Sequence, residues 1–374
     1  MEQKESIGPG AIRDLQGILT TLSPSRIFLV TGRSSYDVSG ARSLLEPMLA
    51  GYEHTRFCDF SANPEIGDIE RGVGRLRASA ADLVMAVGGG SVIDMAKSLS
   101  LLADQPLEPR TYVLGREKME AAGRPLIAIP TTAGSGSEAT RFAVVYVDRS
   151  KYSLEHESML PAFAVVDPDL TKSLPAAIAA ATGMDALCQA VESYWNVNST
   201  GESKKYAAEA IELAMGNLEK AVNAPSPGAR ESMARAAHLA GKAINISKTS
   251  ACHAISYPIT SYFGVPHGHA TGLTLPPMLV FNSRVTGEDL QDRRGLAYVR
   301  GTMEDLVSLI GARGFEQAGD SLTGLMERIH LETRLGALGI DEEGISVIVA
   351  NGFNPDRVGN NPRLLTEEAL RSML

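Results

Sequence analysis

Cysteine is scarce in this chain: Cys58, Cys188 and Cys252 are scattered through 374 positions. An odd, widely spaced set builds neither a disulfide framework nor a thiolate metal cluster, so reduced and mostly buried thiols are expected. Positive charge is also in deficit, with 35 Lys and Arg against 44 Asp and Glu and a formal net charge of −9. Without a long basic run there is no electrostatic footprint for nucleic acid, and any anionic ligand must be held locally. No apolar stretch approaches the roughly eighteen residues that read as a membrane span. Met1 to Ser6 is polar and carries no apolar signal region, so a cytoplasmic protein with no membrane partner is expected. There is no internal period and no low-complexity segment, which argues against a repeat architecture.

What the chain does have is ordinary globular composition, 44% hydrophobic and 21% charged, which argues against long disorder. Its length exceeds the size at which one core keeps growing, so two domains are expected. Short apolar or β-branched runs alternate with helical patterns at Arg26 to Val30, Leu83 to Val87, Pro125 to Ile129, Phe142 to Val147 and Ala162 to Val166. That alternation predicts an α/β domain. After Asp167-Pro168-Asp169 the strand runs stop, and helices follow, broken at Ala224 to Gly228, at Gly264-Val265-Pro266 and at Asn354-Pro355. The expected division is residues 1–168, a Rossmann-like dinucleotide-binding α/β domain, and 169–374, an all-α domain carrying metal and substrate.

Leu83 to Val87 reads as a buried strand that runs into Gly88-Gly89-Gly90-Ser91, and Val92, Met95, Ala96 and Leu99 follow at helical spacing. Glycines allow positive φ and close backbone approach, and the free N–H groups at a helix start attract a pyrophosphate. Pro130 to Glu138 follows another apolar strand and packs hydroxyls and glycines into one loop, with donors for a phosphate or ribose. Two such loops after two strands point to a dinucleotide. The cofactor candidates are Gly88, Gly89, Gly90, Ser91 and Asp94 in the first loop and Thr131, Thr132, Ser135 and Ser137 in the second.

These two segments resemble the nucleotide-binding signatures of the iron-containing, or group III, alcohol dehydrogenases. Val166 to Leu170, Thr182 to Leu187 and Pro266-His267-Gly268 extend the resemblance from about Gly8 to the C-terminal helix. It implies a dehydroquinate synthase-like nucleotide domain before a helical domain, NADH or NADPH as cofactor, and a divalent metal, Fe²⁺ first with Zn²⁺ or Mn²⁺ as alternatives. A homo-oligomer, a dimer, is also implied.

Asp185 and Gln189 lie four apart on one helix face, while a turn containing Gly264 and Pro266 separates His253 from His267. A lone histidine is more often a core or surface residue than a ligand; the resemblance is what assigns the metal to Asp185, Gln189, His253 and His267. Gln189 departs from the family, which places histidine there, and an amide oxygen is a weaker and harder donor than imidazole. Three ligands with an open position still suffice for Lewis-acid catalysis. Tyr257 departs as well, standing where many relatives carry a histidine; it can donate a hydrogen bond but is a poor proton shuttle near neutral pH.

The expected reaction is therefore metal-assisted hydride transfer between the nicotinamide and a small aldehyde. The position after Val30-Thr31, where NAD-specific relatives place an aspartate against the ribose 2′-hydroxyl, is Gly32, so Arg33 and Ser34 are candidates for a 2′-phosphate. Lys248, in the stretch Asn245 to Ser250 leading into His253, and Arg141, just past the second loop, are candidates for an anionic substrate. Ser193 to Thr200, the Lys248 stretch and Ser256 to His269 together resemble the phosphonoacetaldehyde reductase branch, which implies reduction of phosphonoacetaldehyde to 2-hydroxyethylphosphonate. The alternatives are a short-chain alcohol dehydrogenase for uncharged substrates, a dehydroquinate synthase-like lyase, and a nucleotide-binding sensor without catalysis.

Overall fold

The computed structural model describes residues 3–148 and 150–374. These divide into two compact units, with the break after Leu174. The first holds a six-stranded sheet built from β1 (Lys4–Ile7), β2 (Arg26–Thr31), β3 (Glu53–Phe57), β4 (Leu83–Gly88), β5 (Leu126–Pro130) and, in the same sheet, β8 (Phe163–Val166). All the pairings are parallel, in the order β1-β8-β5-β4-β2-β3. β6 (Phe142–Val147) and β7 (Ser150–Glu155) form a separate antiparallel pair.

Both faces of the central strands are apolar because parallel sheets are covered on both sides. Phe28, Val30, Val84, Ala86, Leu126 and Ala128 pack under α3 (Ile66–Ser79) and α4 (Gly90–Leu102). Ile27, Leu29, Leu83, Met85, Val87, Ile127 and Ile129 pack on the other side with residues of α1 (Leu15–Leu22) and α2 (Ala41–Leu49). The chain runs from β2 outward to β3, then returns to β4 on the opposite side of β2. Strand order therefore reverses between β2 and β4, and ligands of open α/β sheets bind outside the carboxyl ends of the strands at such a point. Those ends carry Thr31-Gly32-Arg33 and Gly88-Gly89-Gly90.

Three strands escaped the sequence patterns. β1 and β3 are the two edges of the sheet, and the sequences KESI and EHTRF are polar because an edge strand lacks a second neighbour to bury it. β7 lies outside the main sheet and is equally polar, SKYSLE.

The second unit is helical. α5 (Ala176–Trp195) packs against α6 (Gly201–Asn223), α7 (Pro227–Ser247) and α9 (His267–Ser283), and α9 in turn against α8 (Ala251–Phe263). Every residue from Gly183 to Trp195 is buried, so the later part of α5 is enclosed on all sides. The breaks fall where the glycine and proline signals predict: α6 ends at Asn223, and α8 ends on Gly264 at φ 70° before Pro266. Among the described residues no helix is long and apolar enough to cross a membrane. Cys188 and Cys252 are fully buried free thiols and Cys58 is half-buried.

Candidate metal centre and cofactor loops

In the first unit, close approach rather than positive φ explains the glycines. None of Gly88, Gly89 and Gly90 has a left-handed backbone. A Cβ on Gly88 would meet Val92 Cβ at 2.7 Å, and one on Gly90 would meet Ser135 Oγ at 2.7 Å and Cβ at 2.9 Å. The turn before α4 therefore presses directly on the Pro130 to Ser137 loop, and its first N–H groups have no intrahelical partner. Gly89 faces Thr132, 3.3 Å from the position of its missing Cβ.

Asp94 and Ser137 brace these loops. Ser137 Oγ donates to Asp94 Oδ1 at 2.5 Å, and the Val144 N–H donates to Asp94 Oδ2 at 3.0 Å. Lys97, fully buried, donates from Nζ to Ser137 Oγ, Thr140 Oγ1 and the Phe142 carbonyl at 3.1, 2.8 and 2.9 Å. Burial pushes its pKa down to about 8, against the pull of Asp94 and Glu138. Lys97 belongs to the motif but offered no sequence sign of a bracing role.

At the end of β2, Arg56 Nε donates to Thr31 Oγ1 at 2.8 Å and its Nη2 to the Gly32 carbonyl at 3.2 Å. Its guanidinium lies 4.9 Å over the Tyr36 ring. Arg33 pairs with Asp59, both exposed, so a carboxylate does stand at this rim although it arrives from the segment after β3. Ser34 precedes a one-turn helix, Ser35–Val38. Arg141 also lies in this unit, with Nε 3.3 Å from Glu155 and Nη1 2.8 Å from Glu157.

In the second unit Asp185, His253 and His267 come together with one ligand atom each, all within 4.8 Å of one another. His253 Nε2 is 3.4 Å from Asp185 Oδ1 and His267 Nε2 is 3.9 Å from the same oxygen. Asp185 and Gln189 sit on successive turns of α5, His253 near the start of α8 and His267 at the first position of α9. Gly268 allows this approach: its Cβ would lie 2.0 Å from the Ala181 carbonyl and 2.9 Å from the Asp185 nitrogen. Tyr257, half-buried, stacks on His267 with ring centroids 6.2 Å apart. His269 turns away, Nε2 meeting the Glu332 carbonyl at 2.6 Å.

A buried residue the sequence reasoning missed holds the histidine. Glu192 is fully buried on α5, seven positions after Asp185 and hence on the same face. Its Oε1 accepts from the Ser250, Cys252 and His253 nitrogens at 3.1, 2.9 and 3.4 Å and from Ser250 Oγ at 2.8 Å. It thereby caps α8, where the helix dipole favours an anion. Its Oε2 accepts from His253 Nδ1. The signal was present: a glutamate one heptad beyond an aspartate, inside an otherwise apolar helix.

The donor set fits a divalent metal. Gln189 Oε1 and His253 Nε2 are buried with no hydrogen-bond partner, a costly state for polar atoms unless something charged is ligated there. Burial alone would depress the His253 pKa, yet Glu192 first and then Asp185 hold it at about 10. The negative field that retains a proton on that ring equally favours a metal cation in its place.

The comparisons with known proteins agree with this arrangement. Residues 3–168 match the iron-containing alcohol dehydrogenase family, and residues 179–374 match the Fe-containing alcohol dehydrogenase family, C-terminal. The chain belongs to the iron-containing alcohol dehydrogenases. It is an NAD(P)-linked enzyme with a His/Asp site for a divalent metal, and it interconverts a small aldehyde and its alcohol. This alcohol dehydrogenase is 37% identical to the phosphonoacetaldehyde reductase of Streptomyces viridochromogenes over 314 residues, 80% of this chain and 77% of that protein. It is 30% identical to long-chain-alcohol dehydrogenase 1 of Geobacillus thermodenitrificans, covering 98% and 93% of the two chains. The crystal structure of sulfoacetaldehyde reductase from Bifidobacterium kashiwanohense with NAD+ superposes with a TM-score of 0.88 at 31% identity, covering 99% and 96%.

Proposed function

We propose that this alcohol dehydrogenase reduces a small anionic aldehyde, phosphonoacetaldehyde, to 2-hydroxyethylphosphonate. The observation that carries the reading is Lys248, which occupies φ 66°, ψ −176°, a backbone region reserved almost wholly for glycine. Two residues on, Ser250 is bonded to the Glu192 that holds His253, so Lys248 is tied through a short covalent and hydrogen-bonded path to the metal centre. A lysine kept in such strained backbone at such a place fits recognition of an anion, and two relatives are named for phosphono- and sulfo-substituted acetaldehydes.

Asp185, Gln189, His253 and His267 would hold the metal. When bound, the metal supplies a Lewis acid for the aldehyde oxygen and the reduced nicotinamide supplies the hydride. Asp185, Gln189 and His253 are buried away from bulk water while His267 is half-buried, and Glu192, holding Nδ1, turns His253 Nε2 toward Asp185. Lys248 pairs with the phosphonate and orients the carbonyl carbon. Tyr257, stacked on His267, donates a hydrogen bond to the product oxygen, and the proton reaches it through water or the ribose hydroxyls. A sulfonate is likewise an anionic, tetrahedral group, so sulfoacetaldehyde is the second reading, favoured by the likeness across nearly the whole chain. Initial rates with phosphonoacetaldehyde, sulfoacetaldehyde and propanal decide between them: the highest kcat/KM for phosphonoacetaldehyde supports the first reading, the highest for sulfoacetaldehyde the second, and equal kcat/KM for all three refutes both.

Gly88, Gly89, Gly90, Ser91, Thr131, Thr132 and Ser135 line the dinucleotide phosphates in this reading, with Asp94 and Ser137 bracing the loops. Gly90→Ala then drives a Cβ against Ser135 and is expected to weaken NADPH binding about tenfold, or about 1.4 kcal/mol. Metal content should stay unchanged. Isothermal titration with NADPH beside metal analysis checks both.

NADPH is expected to be accepted at least as well as NADH, with Arg33, Ser34 and Arg56 around Gly32 offering donors to a 2′-phosphate. Asp59 opposes this through its pairing with Arg33, so Asp59→Asn should shift the kcat/KM ratio further toward NADPH. A preference for NADH beyond about tenfold in the parent would count against the assignment.

A further inference from the structure

Ser256 lies three residues after His253 on α8 and is fully buried. Its hydroxyl touches both histidines of the metal centre. Ser256 Oγ donates to the His253 carbonyl at 2.7 Å, and the same oxygen lies 3.2 Å from His267 Nδ1. A serine hydroxyl has one hydrogen. With that hydrogen given to the carbonyl, the second contact forms only if His267 Nδ1 carries a proton and donates it to Oγ. The neutral ring then keeps its lone pair on Nε2, the atom that faces Asp185 Oδ1 at 3.9 Å. Glu192 likewise accepts from His253 Nδ1 and leaves Nε2 as the atom that faces Asp185. The two imidazoles thus present Nε2 for the same structural reason, one through a carboxylate and the other through a hydroxyl.

We propose that Ser256 is a positioning residue of the metal centre, which locks His267 in its Nε2-donor tautomer and so offsets the weaker amide donor at Gln189. The inference rests on Asp185, His253 and His267 being the metal ligands. Partners of this kind, one bond removed from the metal, are worth about 10- to 100-fold in metal affinity. Ser256 also sits beside Tyr257, whose ring stacks on the same histidine, so the His267 plane is held from two sides.

The full-length protein, stripped of metal and titrated with Co²⁺ against a chelator, tests this. Ser256→Ala should weaken Co²⁺ binding about 10- to 100-fold and alter the visible d–d spectrum, with NADPH affinity and the metal-free melting temperature held near parental values. Ser256→Thr, which keeps the hydroxyl, should recover most of the affinity. In a His267→Ala background the further change Ser256→Ala should do nothing more. Ring ¹⁵N shifts in the metal-free protein provide a second readout: neutral His267 is expected as the Nδ1–H tautomer in the parent and as a mixture in Ser256→Ala. Parental Co²⁺ affinity and spectrum in Ser256→Ala, an Nε2–H tautomer in the parent, or an equal loss in the His267→Ala background would overturn the proposal. If His267→Ala alone binds Co²⁺ as the parent does, it is the ligand assignment that fails, an outcome distinct from failure of the Ser256 role.

Discussion

His253→Ala is expected to remove bound metal and aldehyde reduction together while leaving the dinucleotide affinity of the first unit intact. The change deletes a ligand atom and also strips Glu192 of one of its partners at the start of α8. A buried carboxylate deprived of a hydrogen-bond donor costs on the order of 1–3 kcal/mol, so a lower melting temperature should accompany the loss of metal. Lewis-acid stabilisation of the developing negative charge is worth several kcal/mol, and about 4 kcal/mol corresponds to roughly a thousandfold in kcat. His267→Ala should abolish turnover similarly with less effect on stability, because its side chain is 35% exposed and His253 is 6% exposed. Gln189→Ala should be milder than either. Metal analysis, kcat with phosphonoacetaldehyde and NADPH titration on the purified variants check the ordering. Near-normal turnover in His267→Ala would dispose of the ligand assignment.

The legible parts of the sequence were those where one physical cause dominates. The central strands β2, β4, β5 and β8 could be read because burial on both faces demands unbroken apolar runs, and the glycine turns because close packing forbids a Cβ at Gly88 and Gly90. Edge strands β1 and β3 could not, because solvent on one side permits polar residues and no periodicity survives. The histidines illustrate the same limit. Spacing alone does not tell a ligand from an ordinary histidine, and only the meeting of α5, α8 and α9 in space does so. Glu192 was overlooked for the opposite reason: a single charge within an apolar helix resembles an exception until the helix is known to be enclosed. Gly268 could be read only as part of the Pro266-His267-Gly268 motif, and its physical reason shows once the Ala181 carbonyl is found where its Cβ would be.

Lys248→Gly should raise stability and lower anion selectivity in one substitution. A non-glycine residue in this backbone region stores about 1–3 kcal/mol, and here the conformation is fixed from several directions. The Lys248 nitrogen donates to the Ile244 carbonyl at 2.8 Å, and the Lys248 carbonyl accepts from Asn196 Nδ2 at 3.1 Å and Ser247 Oγ at 2.9 Å. The next carbonyl, of Thr249, accepts from Asn360 Nδ2 at 2.9 Å. Glycine adopts the same angles without the Cβ penalty, so the melting temperature should rise by about 2–4 °C for each kcal/mol released. Alanine keeps the Cβ and should leave the melting temperature nearly unchanged. Both variants delete the ammonium, and a hydrogen bond to a charged group contributes about 1.5–3 kcal/mol, or roughly 10- to 150-fold. That is the expected fall in kcat/KM for phosphonoacetaldehyde relative to propanal in each. The two readouts separate the explanations. Stabilisation in Lys248→Gly with full anion preference in both variants would reduce Lys248 to a strained helix cap, whereas an equal loss of preference in both makes the strain the cost of holding a cation where the substrate anion binds.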